Sequence, residues 1–256
     1  MRRLVLASLL FAPLGAFAAT CKFEAPRHLQ LDLSGVKMVQ IEVRSQDLHL
    51  LGSDTATGLS LDGRACASDK TVLDSLQVTQ RRDGDQLLLD IGGNSLSSFR
   101  LFGSSYASLD VHVKLPTNLP VTVNVGSGDA DVRGVQQLQS QVGSGDLHVR
   151  KVANKFGASV GSGDIDASDI GSLALGSVGS GDFRGEKISG DASVGSIGSG
   201  DVELRQIGGS VRADTLGSGD LTVSDVGGDF SLGAKGSGNV SHAGVKGKVS
   251  VPRDDD

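Results

Sequence analysis

Six aspartates close the same tetrapeptide. Gly-Ser-Gly-Asp ends at Asp129, Asp146, Asp164, Asp182, Asp201 and Asp220, and a seventh copy ends at Asn239. A stack of carboxylates can ligate a hard cation such as calcium, which takes six to eight oxygens, and a serine in a tight turn can serve as a nucleophile. The neighbouring residues argue against both. Calcium-binding β-rolls repeat a nonapeptide of the form G-G-x-G-x-D-x-U-x. With Gly126 and Gly128 on its second and fourth positions, the ligand position falls on Ala130, and in later copies on Leu147, Ile165, Phe183, Val202, Leu221 and Val240. These apolar side chains cannot hold a cation. The serine lacks the G-x-S-x-G context of a nucleophile elbow. Ser and Asp are instead residues whose side chains hydrogen-bond turn amides. The ladder is therefore read as turn chemistry, with a cation-binding β-roll as the alternative.

The remaining reactive side chains are sparse. His28, His49, His112, His148 and His242 are dispersed along the chain without metal-ligand spacing. No catalytic, cofactor-binding or metal-binding residue is expected, and the chain is read as a non-enzyme. The alternative, a polysaccharide lyase or hydrolase on a parallel β-helix, needs long loops to wall a cleft. Copies of the tetrapeptide are 17, 18, 18, 19, 19 and 19 residues apart, which leaves no room for such loops.

That spacing also identifies the elements. Units this short suit one coil of a β-solenoid. After each Asp the residue is small or apolar (Ala130 through Val240), and two residues later come Val132, Val149, Ala167, Gly185, Leu204, Val223 and His242. A period of two marks a half-buried strand. A corner column follows at Val135, Val152, Ile170, Ile188, Ile207, Val226 and Val245, then a second strand with inward Leu138, Phe156, Leu173, Ala192, Val211, Phe230 and Val249, followed by Ser140 and its equivalents. Val142, Val160, Val178, Ile197 and Leu216 close the coil. Lys235 breaks that column where Asn239 replaces Asp, as expected for a repeat ending in a polar cap. The tetrapeptide glycines are expected to supply positive φ at the corner. The fold class is all-β: a parallel β-solenoid, or β-helix, with coils of 17–19 residues and a less regular N-terminal β capping region.

Residues 1–18 read as a secretory signal peptide. Arg2 and Arg3 precede an apolar run from Leu4 to Phe17, and Ala16-Phe17-Ala18 offers a small-residue cleavage site. An oxidising compartment favours a disulfide between Cys21 and Cys66, the two cysteines of the chain. Removing the two leader arginines takes the formal charge from -6 to -8. With the remaining Lys and Arg scattered, nucleic acid is not expected as a partner. No later run is apolar enough to span a membrane. The expectation is an exported protein, periplasmic by default with the cell surface or extracellular space as alternatives, with an envelope protein or polysaccharide as partner and end-to-end or face-to-face contact as the modes open to self-association.

Residues 19–120 carry strand patterns without the tetrapeptide, and Arg82-Asp83-Gly84-Asp85 is a hairpin signal. They are read as irregular coils capping the regular solenoid of 121–251, with 19–251 as one continuous domain and 252–256 as a polar tail. The stretch from Gly92 to Ser108 is rich in Ser and Gly yet holds Phe99, Leu101, Phe102 and Tyr106. Two roles suit it: a binding loop, or a hydrophobic flap over an open solenoid end. A second candidate surface is the outer face of the second strands, where Gly157, Ser159, Ala174, Gly176, Ser193, Gly195, Ser231 and Gly233 are all small.

Motifs such as Val125-Gly126-Ser127-Gly128-Asp129, at this spacing, resemble the bacterial exported β-strand-repeat proteins of an adhesin-like domain-of-unknown-function family. The resemblance covers about residues 30 to 251. It implies a β-solenoid exported to the cell envelope, acting as a structural or adhesin-like interaction module, and it brings no catalytic residues.

Overall fold

The structure, a computed structural model, describes residues 21–92 and 106–252. From Ala130 onward the alternation of the sequence folds into coils that contribute one strand to each of two facing layers. β9 (Ala130–Val142), β10 (Asp146–Val160) and β11 (Asp164–Val178) run through the corner unbroken and serve both layers. Later coils split into pairs: β12 (Phe183–Ile188) with β13 (Ala192–Ile197), β14 (Val202–Ile207) with β15 (Val211–Leu216), β16 (Leu221–Val226) with β17 (Phe230–Lys235), and β18 (Val240–Val245) with β19 (Val249–Ser250). All their pairings are parallel. Leu147 lies between Ala130 and Ile165, and Val202 between Phe183 and Leu221. The inward columns are buried up to Leu221 and Leu232, then fade to a half-buried Val240 and an exposed His242.

Core side chains compensate in size along the axis. Phe183 is fully buried next to Gly185, where a Cβ would stand 3.0 Å from its ring. Phe156, two coils earlier in the opposite layer, is 6.5 Å away ring to ring. Each such burial contributes about 1.5–3 kcal/mol relative to exposure. This is how a chain with few aromatics and no Trp builds a continuous core.

The tetrapeptide glycines hold their places for a reason other than the expected one. None of them has positive φ. Their constraint is close stacking of corners: a Cβ on Gly145 would lie 1.8 Å from the carbonyl oxygen of Gly128, and one on Gly181 would lie 1.8 Å from that of Gly163. Positive φ occurs at the opposite corner, one residue before the apolar corner column, at Gly134, Lys151, Asp169, Lys187, Gln206, Asp225 and Gly244. Five of these seven carry side chains, so the coil tolerates a left-handed residue there that costs about 1–2 kcal/mol.

The N-terminal half is a cap with a permuted strand order. β1 (Phe23–Leu31), β2 (Met38–Val43), β3 (Asp47–Ser53), β4 (Leu59–Ala67), the helix α1 (Lys70–Ser75), β5 (Val78–Asp83), β6 (Gln86–Ile91), β7 (Ala107–Pro116) and β8 (Val121–Val125) follow in sequence. In space β2 lies between β6 and β8, and β3 lies between β7 and β9, all parallel. The first coil of the chain is thus interior. Beyond it pairing turns antiparallel: β7 with β4, β4 with β1, and β6 with β5 through the Gly84-Asp85 turn.

Helix α1 lies outside the sequence reading. Its signal is a polar cap before an apolar pair: Asp69 accepts a hydrogen bond from Thr71 N–H, and Leu73 and Leu76 are buried. Arg27 closes the other end of the helix, donating to the carbonyls of Leu76 at 2.7 Å and Leu73 at 2.9 Å. Cys21 and Cys66 are joined, tying the segment just before β1 to β4 across a separation of 45 residues, a loop length for which cross-linking is worth about 4 kcal/mol in the chain-entropy account.

Candidate functional site

The first layer presents its outer face to solvent, and strand register, antiparallel at the cap and parallel beyond it, writes one row of chemistry across it. Successive neighbours are His28, Asp62, His112, His49, Asp131, His148, Asp166, Arg184 and Glu203. Four of the five histidines that are dispersed in sequence are therefore aligned in space, interleaved with carboxylates. This corrects the expectation that the histidines form no group. Strand permutation brings it about, since β7 is laid against β3 and not against the strand that follows it in sequence.

Pairing along the row is close. His28 Nδ1 lies 2.7 Å from Asp62 Oδ1, and His148 Nδ1 lies 3.4 Å from Asp166 Oδ2. His49 and His112 stack with ring centroids 4.7 Å apart, and each points its Nε2 at Asp110 Oδ1, at 3.5 Å and 3.6 Å. All three are exposed. Arg133 grips Asp131 through two hydrogen bonds of 2.6 and 2.7 Å, which holds that carboxyl below the usual range despite partial burial. Further along, Arg184 contacts Asp182 at 3.1 Å and Arg205 contacts Glu203.

The aspartate ladder forms the edge of this face and acts in the turns. Oδ1 of Asp129, Asp164, Asp182, Asp201 and Asp220 each accepts the backbone N–H of the equivalent residue one coil on, at 2.9–3.2 Å. Neighbouring carboxylates about 4.8 Å apart in water repel by roughly 0.9 kcal/mol, whereas a hydrogen bond to a charged group contributes about 1.5–3 kcal/mol. The turn bonds win. Asp47 occupies the equivalent position in the cap, since Leu48 pairs with Ala130. Burial, then the charges of Asp129 and Asp110, push its carboxyl up, against a backbone hydrogen bond from Asp129.

A second ladder at the other glycine corner escaped the sequence reading. Asp191 Oδ1 accepts from Ser210 N–H, Ser210 Oγ from Asp229 N–H, and Asp229 Oδ1 from Lys248 N–H, at 2.8–3.0 Å. Its signal is the repeated Gly before a polar residue at Gly190-Asp191, Gly209-Ser210, Gly228-Asp229 and Gly247-Lys248.

Of the aromatic stretch, Phe99, Leu101 and Phe102 lie outside the described residues. Tyr106 is exposed and bound to the cap: its hydroxyl accepts from Lys22 N–H at 2.9 Å and its carbonyl from Ser68 N–H at 3.0 Å. The small-residue face of the second layer is crossed by Arg212, which pairs with Ser193 in register and bonds Asp214 at 3.0 Å. The histidine row had a legible signal too. Asp-apolar-His-apolar occurs at Asp47–Leu50, Asp110–Val113 and Asp146–Val149.

Residues 35–248 match the family model described as Toastrack DUF4097. No curated protein matches the chain. Among solved structures, a proposed adhesin from Bacteroides fragilis NCTC 9343 is 14% identical, with 90% of this chain and 98% of that one covered and a TM-score of 0.47. A proposed lipid-binding protein from Parabacteroides distasonis ATCC 8503 is 15% identical, with 88% and 96% covered and a TM-score of 0.45. A proposed adhesin from Parabacteroides merdae ATCC 43184 is 13% identical, with 91% and 97% covered and a TM-score of 0.37.

Proposed function

The chain belongs to the Toastrack DUF4097 family, and on that premise we propose that it is an exported, non-enzymatic interaction module of the cell envelope that receives its partner on the outer face of the first layer. The observation that carries this is the row from His28 to Glu203, a continuous band of hydrogen-bonding and charged side chains across paired strands. Such a band suits an extended envelope protein or polysaccharide laid across the strands. The regular coils carry no inserted loop to wall a catalytic cleft among the described residues.

Export is supported by the leader-like composition of residues 1–18 and by the Cys21–Cys66 bond. No helix among the described residues is long and apolar enough to cross a membrane. In this reading the leader is removed, residues 19–120 cap the regular solenoid of 121–251, and 252–256 form a tail. The periplasm is the compartment assigned.

Photo-crosslinking in the native host tests the proposal, with the probe placed at Thr222 on the first layer and at Ser193 on the second. A defined protein or glycan adduct at Thr222 supports it. Adducts confined to Ser193, or none at either position, refute it.

A further inference from the structure

We propose that His49, Asp110 and His112 form a surface site for a divalent transition-metal ion, with zinc as the probe. The inference stands apart from the interaction reading, since it rests on three side chains of the cap and their geometry.

The two imidazole Nε2 atoms stand 3.5 and 3.6 Å from the same Asp110 Oδ1, too far for hydrogen bonds, which centre near 2.9 Å. In a tetrahedral zinc site with bonds of about 2.0–2.1 Å, neighbouring ligand atoms lie about 3.4 Å apart. The observed separations are those of two edges of such a tetrahedron. All three donor atoms lie within 4.8 Å of one another, so small rotamer adjustments converge them on one ion.

The scaffold fixes this arrangement. His49 and His112 are register partners on adjacent parallel strands, their rings stacked at 19° to one another. Asp110 precedes His112 by two residues and shares its side of β7. Val111, Leu48 and Leu50 anchor the two strands in the core. Preformed strands reduce the ordering cost that an exposed loop site would carry.

Charge around the site favours a cation. Asp47 is the register partner of Asp110; Asp131, which follows His49 in the row, is already paired with Arg133 and adds little. Arg64 is the register partner of Asp110 on the other side, but its guanidinium is engaged by Glu24 through two 2.8 Å hydrogen bonds. Two imidazoles and one carboxylate are a donor set for zinc and its first-row neighbours, not for calcium. Three protein ligands on an exposed face leave a coordination position for water or for a donor from a bound partner.

The test titrates the tag-free, disulfide-bonded mature chain with zinc against a chromogenic chelator, and records the visible spectrum with cobalt. One equivalent bound, with the cobalt d–d bands of a low-coordinate site, is the expected result. His49→Ala and His112→Ala should each lower zinc affinity by about 100-fold or more, since even outer-shell partners of a ligand cost 10–100-fold. His242→Ala, exposed and outside the row, should bind as the wild type does. All three side chains are exposed, so the metal-free variants should melt with the wild type. Failure of the wild type to bind one equivalent overturns the proposal, as does binding unaltered by His49→Ala and His112→Ala.

Discussion

Oδ1 of Asp182 accepts a hydrogen bond from the backbone N–H of Asp201, 19 residues and one coil away, at 3.1 Å. Asp201 repeats the act for Asp220 at 2.9 Å. A carboxylate in this ladder is thus an acceptor for the coil that follows, as an N-cap residue is for its helix.

Replacing Asp201 by Ala should cost about 1 kcal/mol, by analogy with loss of a helix cap. Asp201→Asn keeps the accepting oxygen and should cost less. Asn239 already stands in the column, donating to Asp220 at 3.0 Å. Urea midpoints of the two variants check the ranking; equal losses would mean that charge, and not the acceptor, matters.

Two glycines separate the effects of space and of backbone angle. Gly181→Ala places a Cβ 1.8 Å from a backbone oxygen and should cost about 3 kcal/mol or more, as severe overpacking does. Gly84 has φ of +60° with open space around it, and Gly84→Ala should cost about 1 kcal/mol. Thermal or chemical denaturation of both variants measures the difference.

Asp47→Asn should be more stable than the wild type at pH 7. The carboxyl is pushed above its usual 3.8 by burial first and then by Asp129 and Asp110. The folded state therefore holds the proton more tightly than the unfolded state, and wild-type stability falls as pH rises from about 3.8 through the folded pKa. The neutral amide removes that penalty. Melting temperatures should diverge across this window and converge below it; a constant difference would contradict the assignment.

Ser140→Ala should raise stability by about 1 kcal/mol. The hydroxyl is buried with no hydrogen-bond partner, and its neighbours in the column are Val123 and Ala158. A loss of stability would reveal a partner for the hydroxyl.

The regular coils were legible because each is a local object. Alternation placed Leu147 and Val149 inward, the corner column added Val152, and all three are buried. The cap was less legible because its strands pair out of order: His49 and His112 share an Asp-apolar-His-apolar pattern, but 63 residues and several strands separate them, and only the permuted pairing sets them side by side. Corner glycines misled for a related reason. Their constraint comes from a carbonyl one coil away, as at Gly145 and Gly128, and a dihedral argument confined to four residues does not register it.

The permuted cap gives the molecule two folding clocks. Asn124 meets Glu42 across 82 residues and Gln86 meets Gln40 across 46, while every rung of the aspartate ladder spans 17 to 19. Closing long loops before any contact rewards them slows folding. The first coil must capture two distant segments, one on each flank, whereas each later coil needs only the edge left by its predecessor. Refolding should therefore wait on the cap and then run down the solenoid quickly.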